Sequence, residues 1–369
     1  MRLLAMAPVT VPRVHPAMLA ASLALGCTGQ AGTYEGDTHA VVVDPGGASE
    51  ADAVERWPAP SATEAWQSLV AQAQADYAAA ACSYGKYLAD YAAGNDFLNL
   101  SILAWADGPT IRLDPQGLPQ VLQDGVLYYN PVTLSQYALT MHGRWTRGDV
   151  AARTSFFVAA DMLLTMEDAD GAFRYPFPFA YYLSGETFPP GWVSSMAQGH
   201  ALSVFSRAYL ESADPTYATA GERALAFLRL PVAQGGTLDT LASLDPSLAR
   251  RPILEEYVAT PSSYTLNGYM FTLLGLYDWS QMAPGVAPSA STAKAMFRAN
   301  IDTLVPLLPY YDLGGFTAYD LGYLTWGAAP HIGVSYHAWH IALLHALHAV
   351  TGRVELRDWE SRWSSYVAQ

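Results

Sequence analysis

Two adjacent carboxylates, Glu255 and Glu256, stand beside Tyr257 just ahead of a long apolar segment. Thr260 followed by Pro261 has the pattern of a helix N-cap with proline in the first turn, so we expect a helix to begin near Pro261. Apolar residues then recur at the spacing of one helix face, which predicts that the helix is buried. They are Leu266, Tyr269, Met270, Leu273, Leu274 and Tyr277.

The chemistry of these acids depends on the loop that carries them. A loop that feeds a buried helix is a place where a rigid scaffold presents side chains to a ligand. If the loop packs against Tyr257 and Tyr264, desolvation and the charge of Glu255 both raise the pKa of Glu256 toward that of a general base. The competing interpretation is a solvated acidic loop.

Four histidines in HAWHIALLHALH, residues 337–348, suggest a metal site, but helical geometry argues against one. His337 and His340 are close on a helix, as are His345 and His348, yet the two pairs lie about 12 Å apart along the axis. The sequence has neither an HExxH motif nor paired cysteines, so we predict no metal and no cofactor. His337 and His340 are predicted substrate contacts, whereas His345 and His348 are expected to be satisfied between helices.

Composition excludes some classes of function. The chain has 369 residues, of which 51% are hydrophobic and 14% charged, which predicts a large globular core. Its net charge of -14 argues against nucleic-acid binding. The 23 tyrosines and 10 tryptophans suit either a carbohydrate groove or an aromatic helical core, and composition does not choose between them.

The N-terminus is predicted to be a secretion signal followed by a tether. Residues 1–26 combine early arginines with an apolar run too short to span a bilayer. The run ends in LALGC, which is similar to a bacterial lipobox and predicts acylation of Cys27 and attachment to a bacterial membrane from its secreted or periplasmic side. Residues 27–61 read as a flexible tether. Lipidation would leave Cys82 without an internal disulfide partner, and we expect Cys82 to be a buried small residue.

The remaining chain is predicted to be mainly α-helical. Residues 62–130 combine an alanine-rich helix with a small β element, and residues 131–369 form the predicted catalytic domain. In that domain apolar periodicity predicts eight helices, which suggest helical hairpins in an (α/α) toroid. They span residues 132–146, 149–166, 193–212, 215–229, 261–281, 291–308, 337–351 and 355–367. Two long loops rich in aromatic residues, 168–192 and 310–339, are predicted to line a site.

Several segments carry a family resemblance. GWVSSMAQGHALSVFSRAYL from Gly191, EEYVATPSSYTLNGYMFTLLGLYD from Glu255, YYDLGGFTAYDL from Tyr310 and SYHAWHIALLHAL from Ser335 resemble the C-terminal domain of D-glucuronyl C5-epimerases. The upstream segment GVLYYNPVTLSQYALTMHG is similar to a tyrosine-rich segment of the same enzymes. The resemblance covers residues 121–367 and implies a secreted or lumenal isomerase. Such an enzyme inverts C5 of D-glucuronate to L-iduronate within a glycosaminoglycan-like polysaccharide such as heparosan.

The resemblance also implies the site residues. Carried over onto this sequence, the catalytic residues are Glu256, Tyr257, Tyr319 and Tyr336. The predicted substrate-binding residues are Tyr128, Tyr129, Trp192, Gln198, His200, Asn267, His337 and His340. We expect most of these side chains at the open end of the toroid, although Gln198 and Asn267 could instead cap or bridge helices.

The chain departs from the family pattern at several positions. Gly322 and Tyr323 stand where an arginine and a histidine are expected, Ser335 replaces an aspartate, and His200 replaces a glutamine. Most of the β-sandwich that precedes the helical domain in the family is missing. An arginine at position 322 would suit the uronate carboxylate, so its loss bears on substrate choice, with Arg174 or tyrosines as substitutes.

Epimerisation at C5 needs a base, an acid across the sugar ring and a group that stabilises the enediolate. Glu256 is the predicted base and Tyr336 the predicted acid, with Tyr257 or Tyr319 donating to the carboxylate. Two alternatives remain open: a uronate lyase or glycoside hydrolase, whose second acid would be Asp312 or Asp320, and a glycan-binding lipoprotein without activity. The expected partner is a uronate polysaccharide, with homodimerisation left open.

Overall fold

Ten α-helices make up about half of residues 64–80 and 82–367, the residues that this computed structural model describes, and strands are few and short there, so the predicted mainly helical class is confirmed. In chain order they are α1 (Glu64–Ala79), α2 (Pro131–Thr146), α3 (Val150–Met166), α4 (Ser195–Ser212), α5 (Pro215–Leu228), α6 (Leu266–Ser280), α7 (Ala290–Tyr311), α8 (Gly322–Thr325), α9 (Val334–Thr351) and α10 (Val354–Ser364). The predicted signal at 1–26 and tether at 27–61 lie outside the described residues.

Eight of these helices form four hairpins in chain order: α2 with α3, α4 with α5, α6 with α7, and α9 with α10. The first helices of the hairpins also pack on one another in sequence, α2 on α4, α4 on α6 and α6 on α9. The 3-10 helix Phe97–Ile102 contacts both α2 and α9, and α1 packs on α9. The hairpins therefore share a core made by α2, α4, α6 and α9.

Side-chain caps explain why several helices start where the sequence predicts. The Asn130 side chain accepts hydrogen bonds from the backbone of Val132 and Thr133 at the start of α2. Asp149 caps α3 and Asp214 caps α5 in the same way. These carboxylate and amide oxygens satisfy backbone N–H groups that have no partner within the helix.

Helix α6 starts later than the sequence predicts, at Leu266 instead of near Pro261. The intervening residue Tyr264 has a φ of +54°, which interrupts a right-handed helix. Tyr264 is held in this conformation by tertiary contacts: its hydroxyl donates to the Thr240 carbonyl, and its own carbonyl accepts from the Tyr311 hydroxyl. Long-range packing therefore overrides the local Thr-Pro signal.

Within the described residues, three small antiparallel sheets occupy the connections. Strands β1 (Ile111–Leu113), β2 (Pro119–Gln123) and β3 (Val126–Tyr128) form one sheet in that order. Strands β4 (Phe179–Ala180) and β5 (Thr187–Phe188) pair within the long loop before α4, and β6 (Leu238–Thr240) pairs with β7 (Pro252–Leu254). Because β7 ends at Leu254, it delivers the chain directly to the acidic pair.

Helices α4 and α6 cross closely at small residues. A Cβ added at Gly275 would lie 2.0 Å from the Gly199 carbonyl oxygen, and one added at Gly199 would lie 2.6 Å from Thr272 Cα. Gly275 therefore permits the close approach of α4. The crossing is also tied by a fully buried ion pair of 2.6 Å between Arg207 and Asp278.

Two expectations about the membrane and the cysteines can be compared with the described residues. None of the helices there has both the length and the apolar character needed to cross a bilayer. Cys82 is buried, as predicted.

Candidate active site

Glu255 and Glu256 follow β7 directly, and the backbone fixes them in different environments. The Glu255 N–H donates to the Thr237 carbonyl at 2.9 Å, and the Glu255 carbonyl accepts from Ser195 at the start of α4. The Glu255 side chain is buried, and this burial raises its pKa to about 8, with Ser262 and the backbone of Tyr264 lowering it in part. Glu255 is therefore an interior acid that carries its proton at neutral pH.

Glu256 lies against the first turn of α6 and is only 7% exposed. Burial raises the pKa of Glu256 to about 7, and hydrogen bonds from Tyr257, Tyr319 and the backbone of Gly268 oppose that rise. A Cβ at Gly268 would lie 2.0 Å from Glu256 Oε2, so only glycine leaves room for this carboxylate. Gly268 thus makes room for a carboxylate, whereas Gly275 makes room for the neighbouring helix.

Three tyrosines surround the Glu256 carboxylate. The Tyr319 hydroxyl lies 3.5 Å from Glu256 Oε1 and 3.3 Å from the Tyr257 hydroxyl. The Tyr336 ring packs on the Tyr319 ring with 4.2 Å between centroids. Burial raises the pKa values of Tyr257 and Tyr319 well above 10, so both phenols keep their protons and act as donors. The structure therefore brings together all four predicted catalytic side chains.

A second acidic cluster adjoins Tyr319. Asp320 is buried and accepts hydrogen bonds from the Tyr182 hydroxyl at 2.6 Å and from the Gly322 N–H at 2.7 Å. His331 Nδ1 lies 3.4 Å from the same carboxylate. The His331 ring packs 4.8 Å from the Tyr319 ring and 5.0 Å from the Tyr182 ring, measured between centroids.

Tyr182 and His331 were missed by the sequence analysis, and Asp320 entered it only as a second acid for a hydrolase. Tyr182 lies 138 residues from Asp320 in the chain, and no local pattern connects the two. The only signal was that both 168–192 and 310–339 are long loops rich in aromatic residues, and these two loops do meet at the cluster.

An aromatic wall flanks Tyr257 on the side of the first long loop. Trp192 stacks on Tyr175 at 3.7 Å between ring centroids, and its indole N–H donates to the Phe177 carbonyl. The Trp192 ring also lies 6.2 Å from the Tyr257 ring, and Phe179 stacks on Tyr257 at 5.2 Å. The structure thus places Trp192 beside the catalytic cluster, and a sugar could stack on such a wall.

Two predicted substrate contacts on α4 lie in the core instead. The Gln198 amide is fully buried, accepts from the Phe173 N–H and donates to the carbonyls of Gly171 and Ala224. His200 Nδ1 bonds to the Met196 carbonyl, and burial lowers the pKa of His200 to about 4. Positions 198 and 200 lie on faces of α4 that pack against the rest of the protein, so both side chains are buried in the core. Gln198 bridges helices, which was the stated alternative.

His337 and His340 also point away from the cluster, which corrects their predicted role as substrate contacts. Both Nδ1 atoms lie within 2.9 Å of the Thr317 hydroxyl oxygen. His337 Nε2 reaches the Trp363 carbonyl, and burial lowers the pKa of His337 to about 3. His337 follows Tyr336 directly and His340 lies one turn further along α9, yet both histidines face inward while the Tyr336 ring packs on Tyr319.

The other predicted positions fall around the site or outside it. Tyr128 packs 5.4 Å from Phe177, which places it at the edge of the aromatic wall, whereas the Tyr129 hydroxyl donates to Asp114 within the small N-terminal element. Asn267 is buried in the first turn of α6 beside Gly268, with Oδ1 lacking a hydrogen-bond partner.

The remaining histidines of α9 lie outside the site. His345 Nδ1 bonds to Glu360 on α10 at 2.9 Å, and His348 Nδ1 lies 3.0 Å from the Arg353 carbonyl. These contacts confirm that both histidines have polar partners between helices, His345 on α10 and His348 in the turn that joins α9 to α10.

The contacts recorded for Glu256, Tyr257 and Tyr319 in the described part of the chain include no lysine or arginine. Arg174, the substitute cation suggested by the sequence, is ion-paired with Asp168 at 2.6 Å and Asp170 at 2.9 Å. Within the described residues no group of three metal-ligating side chains is assembled. The cluster therefore offers acid–base chemistry by a carboxylate and phenols.

Comparison with known proteins agrees with this chemistry. The family model described as D-glucuronyl C5-epimerase C-terminus matches residues 167–365, more than half of the chain, and includes Glu256, Tyr257, Tyr319 and Tyr336. A D-glucuronyl C5-epimerase of Caenorhabditis elegans is 32% identical over 220 residues, which are 58% of this chain and 35% of that relative. The matched segment thus spans about a third of the length of the relative.

Proposed function

Because the chain belongs to the D-glucuronyl C5-epimerase family through its C-terminal domain, we propose that it inverts C5 of D-glucuronate residues within a polysaccharide. The observation that carries this proposal is the Glu256 carboxylate, which is buried, has a pKa near 7 and touches two protonated phenols. A carboxylate of that pKa is ionised in part of the molecules at neutral pH and is a stronger base than an exposed one.

In the proposed reaction Glu256 removes the proton from C5 of the uronate. The electron pair of the broken C5–H bond moves into the C6 carboxylate and forms an enediolate. Hydrogen bonds from Tyr257 and Tyr319 would stabilise the charge that develops there. Tyr336 then donates its proton to the opposite face of C5, and the electron pair returns to form the new C–H bond. The product is an isomer of the substrate, so no oxidant or reductant is consumed.

The tyrosine contacts also support a way to restore the enzyme. After one turnover Glu256 holds a proton and the acid that reacted has lost one. Tyr319 touches both partners, because its hydroxyl lies 3.5 Å from Glu256 and its ring packs on Tyr336. A proton passed along these side chains would reset the site without release to solvent. This step would also allow reaction in both directions.

The proposed substrate class is a glycosaminoglycan-like polymer that contains D-glucuronate, and heparosan is the first polymer to test. Trp192 and Phe179 beside Tyr257 support a sugar-binding groove, since sugars stack on aromatic rings. We also propose that the four hairpins form an (α/α) toroid, with the cluster at its open end, and that the protein is secreted and anchored to a bacterial membrane through Cys27.

We expect Glu256→Gln to lower the rate of C5 hydrogen exchange on heparosan in D2O by roughly 10²- to 10⁴-fold, because the amide cannot accept the proton. Deuterium at C5 is measured by NMR. Glu255→Gln is the matched control, and it should change the rate little, since Glu255 has a pKa of about 8 and is already uncharged at pH 7.

Other outcomes of this experiment would identify other functions. Release of unsaturated, ultraviolet-absorbing ends would show a lyase, and shortened saturated chains would show a hydrolase. Binding without exchange on any uronate polymer would leave a glycan-binding protein. An equal fall in the rate of C5 exchange in the Glu255 and Glu256 variants would contradict the assignment of Glu256 as the base.

A further inference from the structure

A uronate in the proposed site carries a negative C6 carboxylate, which needs a partner that can donate hydrogen bonds. Gly322 cannot supply one through a side chain. A Cβ there would already lie 2.8 Å from the Leu183 side chain and 2.9 Å from Asp320 Oδ1. In the described residues, Glu256, Tyr257 and Tyr319 make no hydrogen bond or ion pair with a lysine or arginine. The imidazole of His331 is the nitrogen donor that lies against this cluster.

The position of His331 is set by two parts of the backbone around it. The His331 carbonyl accepts a hydrogen bond of 2.7 Å from the N–H of Tyr319, so the loop that carries His331 is bonded to the backbone of the cluster. The carbonyl of Tyr319 in turn accepts from the N–H of Leu266 at the start of α6, where Glu256 lies. These two hydrogen bonds connect the backbone of His331, through Tyr319, to the start of α6 beside Glu256.

The two edges of the His331 ring differ in exposure. Nδ1 is buried and lies 3.4 Å from Asp320 Oδ2, at ion-pair distance but without the geometry of a hydrogen bond. The His331 side chain is nevertheless 16% exposed, so this exposure comes from its other atoms. Asp320 itself is fixed by Tyr182 and by the Gly322 N–H. A fixed carboxylate behind one nitrogen orients an imidazole and sets which nitrogen is left to bind a ligand.

We infer that His331, oriented by Asp320, binds the C6 carboxylate of the uronate in place of an arginine. The inference rests on the proposed function and deepens it, because it makes this chain selective for a negatively charged sugar through an imidazole. His331 is thereby assigned to substrate binding, and Asp320 and Tyr182 are positioning residues. A hydrogen bond that involves a charged group is stronger than a neutral one, so the loss of His331 should be visible in affinity.

The test compares two probes: heparosan oligosaccharides and the same oligosaccharides with their carboxylates reduced to alcohols. Affinity is measured by calorimetry for the wild-type protein, His331→Gln and His331→Arg. His345→Gln is the matched control, because His345 also pairs with a carboxylate, at 2.9 Å from Glu360, but lies about 13 Å along α9 from Tyr336. C5 exchange on heparosan is measured in parallel.

We expect the wild type to bind the uronate probe more tightly than the reduced one. His331→Gln should weaken binding of the uronate probe by roughly ten- to hundredfold and leave the reduced probe nearly unchanged. His331→Arg should restore much of the difference, and His345→Gln should behave as wild type. In exchange kinetics, His331→Gln should raise KM more than it lowers kcat.

Three results would overturn the inference. The first is a wild-type protein that binds the two probes with equal affinity. The second is an equal loss of affinity for both probes in His331→Gln. The third is a fall in kcat with unchanged KM, which would assign His331 to proton transfer. The proposed function is tested separately: if heparosan binds but never exchanges at C5, epimerisation fails while the role of His331 in binding the carboxylate still stands.

Discussion

At the residue scale, two neighbouring glutamates differ because the strand before them sends their side chains to different places. Glu255 enters the interior near Ser262 and Tyr264, and Glu256 reaches Tyr319 and the first turn of α6. Burial raises the pKa of both carboxyl groups. The same shift has two consequences, one for catalysis by Glu256 and one for folding stability through both residues.

We predict that stability falls and C5 exchange rises as pH increases from 7 to 8. The folded pKa values of about 8 for Glu255 and about 7 for Glu256 exceed the ordinary value of 4.5, so in this range the folded protein keeps protons that the unfolded chain has lost. The free energy of unfolding therefore decreases with pH, by up to about 1.4 kcal/mol per pH unit for each group. Exchange rises because Glu256 must be ionised.

Urea denaturation and NMR exchange over this pH range check the prediction. The window begins at 7, above the ordinary pKa of histidine of 6.5, because buried histidines such as His200 have lowered pKa values and oppose the trend until the unfolded chain has lost most of its imidazole protons. Glu255→Gln should flatten the stability profile and leave the exchange profile in place. Stability that increases up to pH 8 in the wild type would refute this account.

At the element scale, helix α6 uses two glycines for different purposes. Gly275 lets the backbone of α4 approach, and Gly268 makes room for a catalytic carboxylate at the helix start. Backbone cannot move away from an added methyl group without separating two helices, whereas a glutamate side chain can rotate. The two sites should therefore respond differently to the same substitution.

We predict that Gly275→Ala mainly destabilises the fold and that Gly268→Ala mainly lowers activity. In Gly275→Ala the new Cβ meets a backbone carbonyl at 2.0 Å, so the free energy of unfolding should fall by about 1–3 kcal/mol or more. In Gly268→Ala the displaced Glu256 should lower C5 exchange by about 100-fold with a smaller loss of stability. Thermal unfolding and exchange rates measure both effects.

Gly285→Ala is the control for these substitutions, since nothing lies within 4 Å of a Cβ at Gly285. It should leave stability and exchange close to wild type. If Gly268→Ala and Gly275→Ala lost activity and stability in the same proportion, the distinction between the two glycines would be wrong.

At the scale of the whole molecule, the described helices make a connected scaffold of four hairpins around α2, α4, α6 and α9. The segment matched to the epimerase from Caenorhabditis elegans covers 35% of that relative's length. The proposed membrane anchor would come from the N-terminal residues, which lie outside the described part.

We predict that the mature protein starts at Cys27 with a lipid on its thiol and partitions with membranes. Mass spectrometry of protein from the expressing bacterium gives the N-terminus and the added mass. Membrane binding unchanged in Cys27→Ser, or an N-terminus that retains Met1, would contradict the anchor.

The sequence by itself determined the local features of the protein. Apolar periodicity and caps such as Asn130 and Asp149 depend on residues within a few positions of one another, and they gave most helices to within a few residues. The adjacent acids and the tyrosines of the matched segments also indicated the catalytic cluster. These signals are local, so most of them hold after the chain has packed, and the Thr-Pro signal before α6 is the exception.

Only the tertiary structure decided which side chains meet. It turned Glu256 toward Tyr319, placed Glu255, Gln198, His337 and His340 in the interior, and joined Tyr182 to Asp320 across 138 residues. Contacts of this kind depend on how the hairpins pack and where the long loops cross. A histidine on a helix is equally compatible with a groove or a core until the neighbouring helix is in place, because burial is a property of the packed hairpins and not of the helix alone.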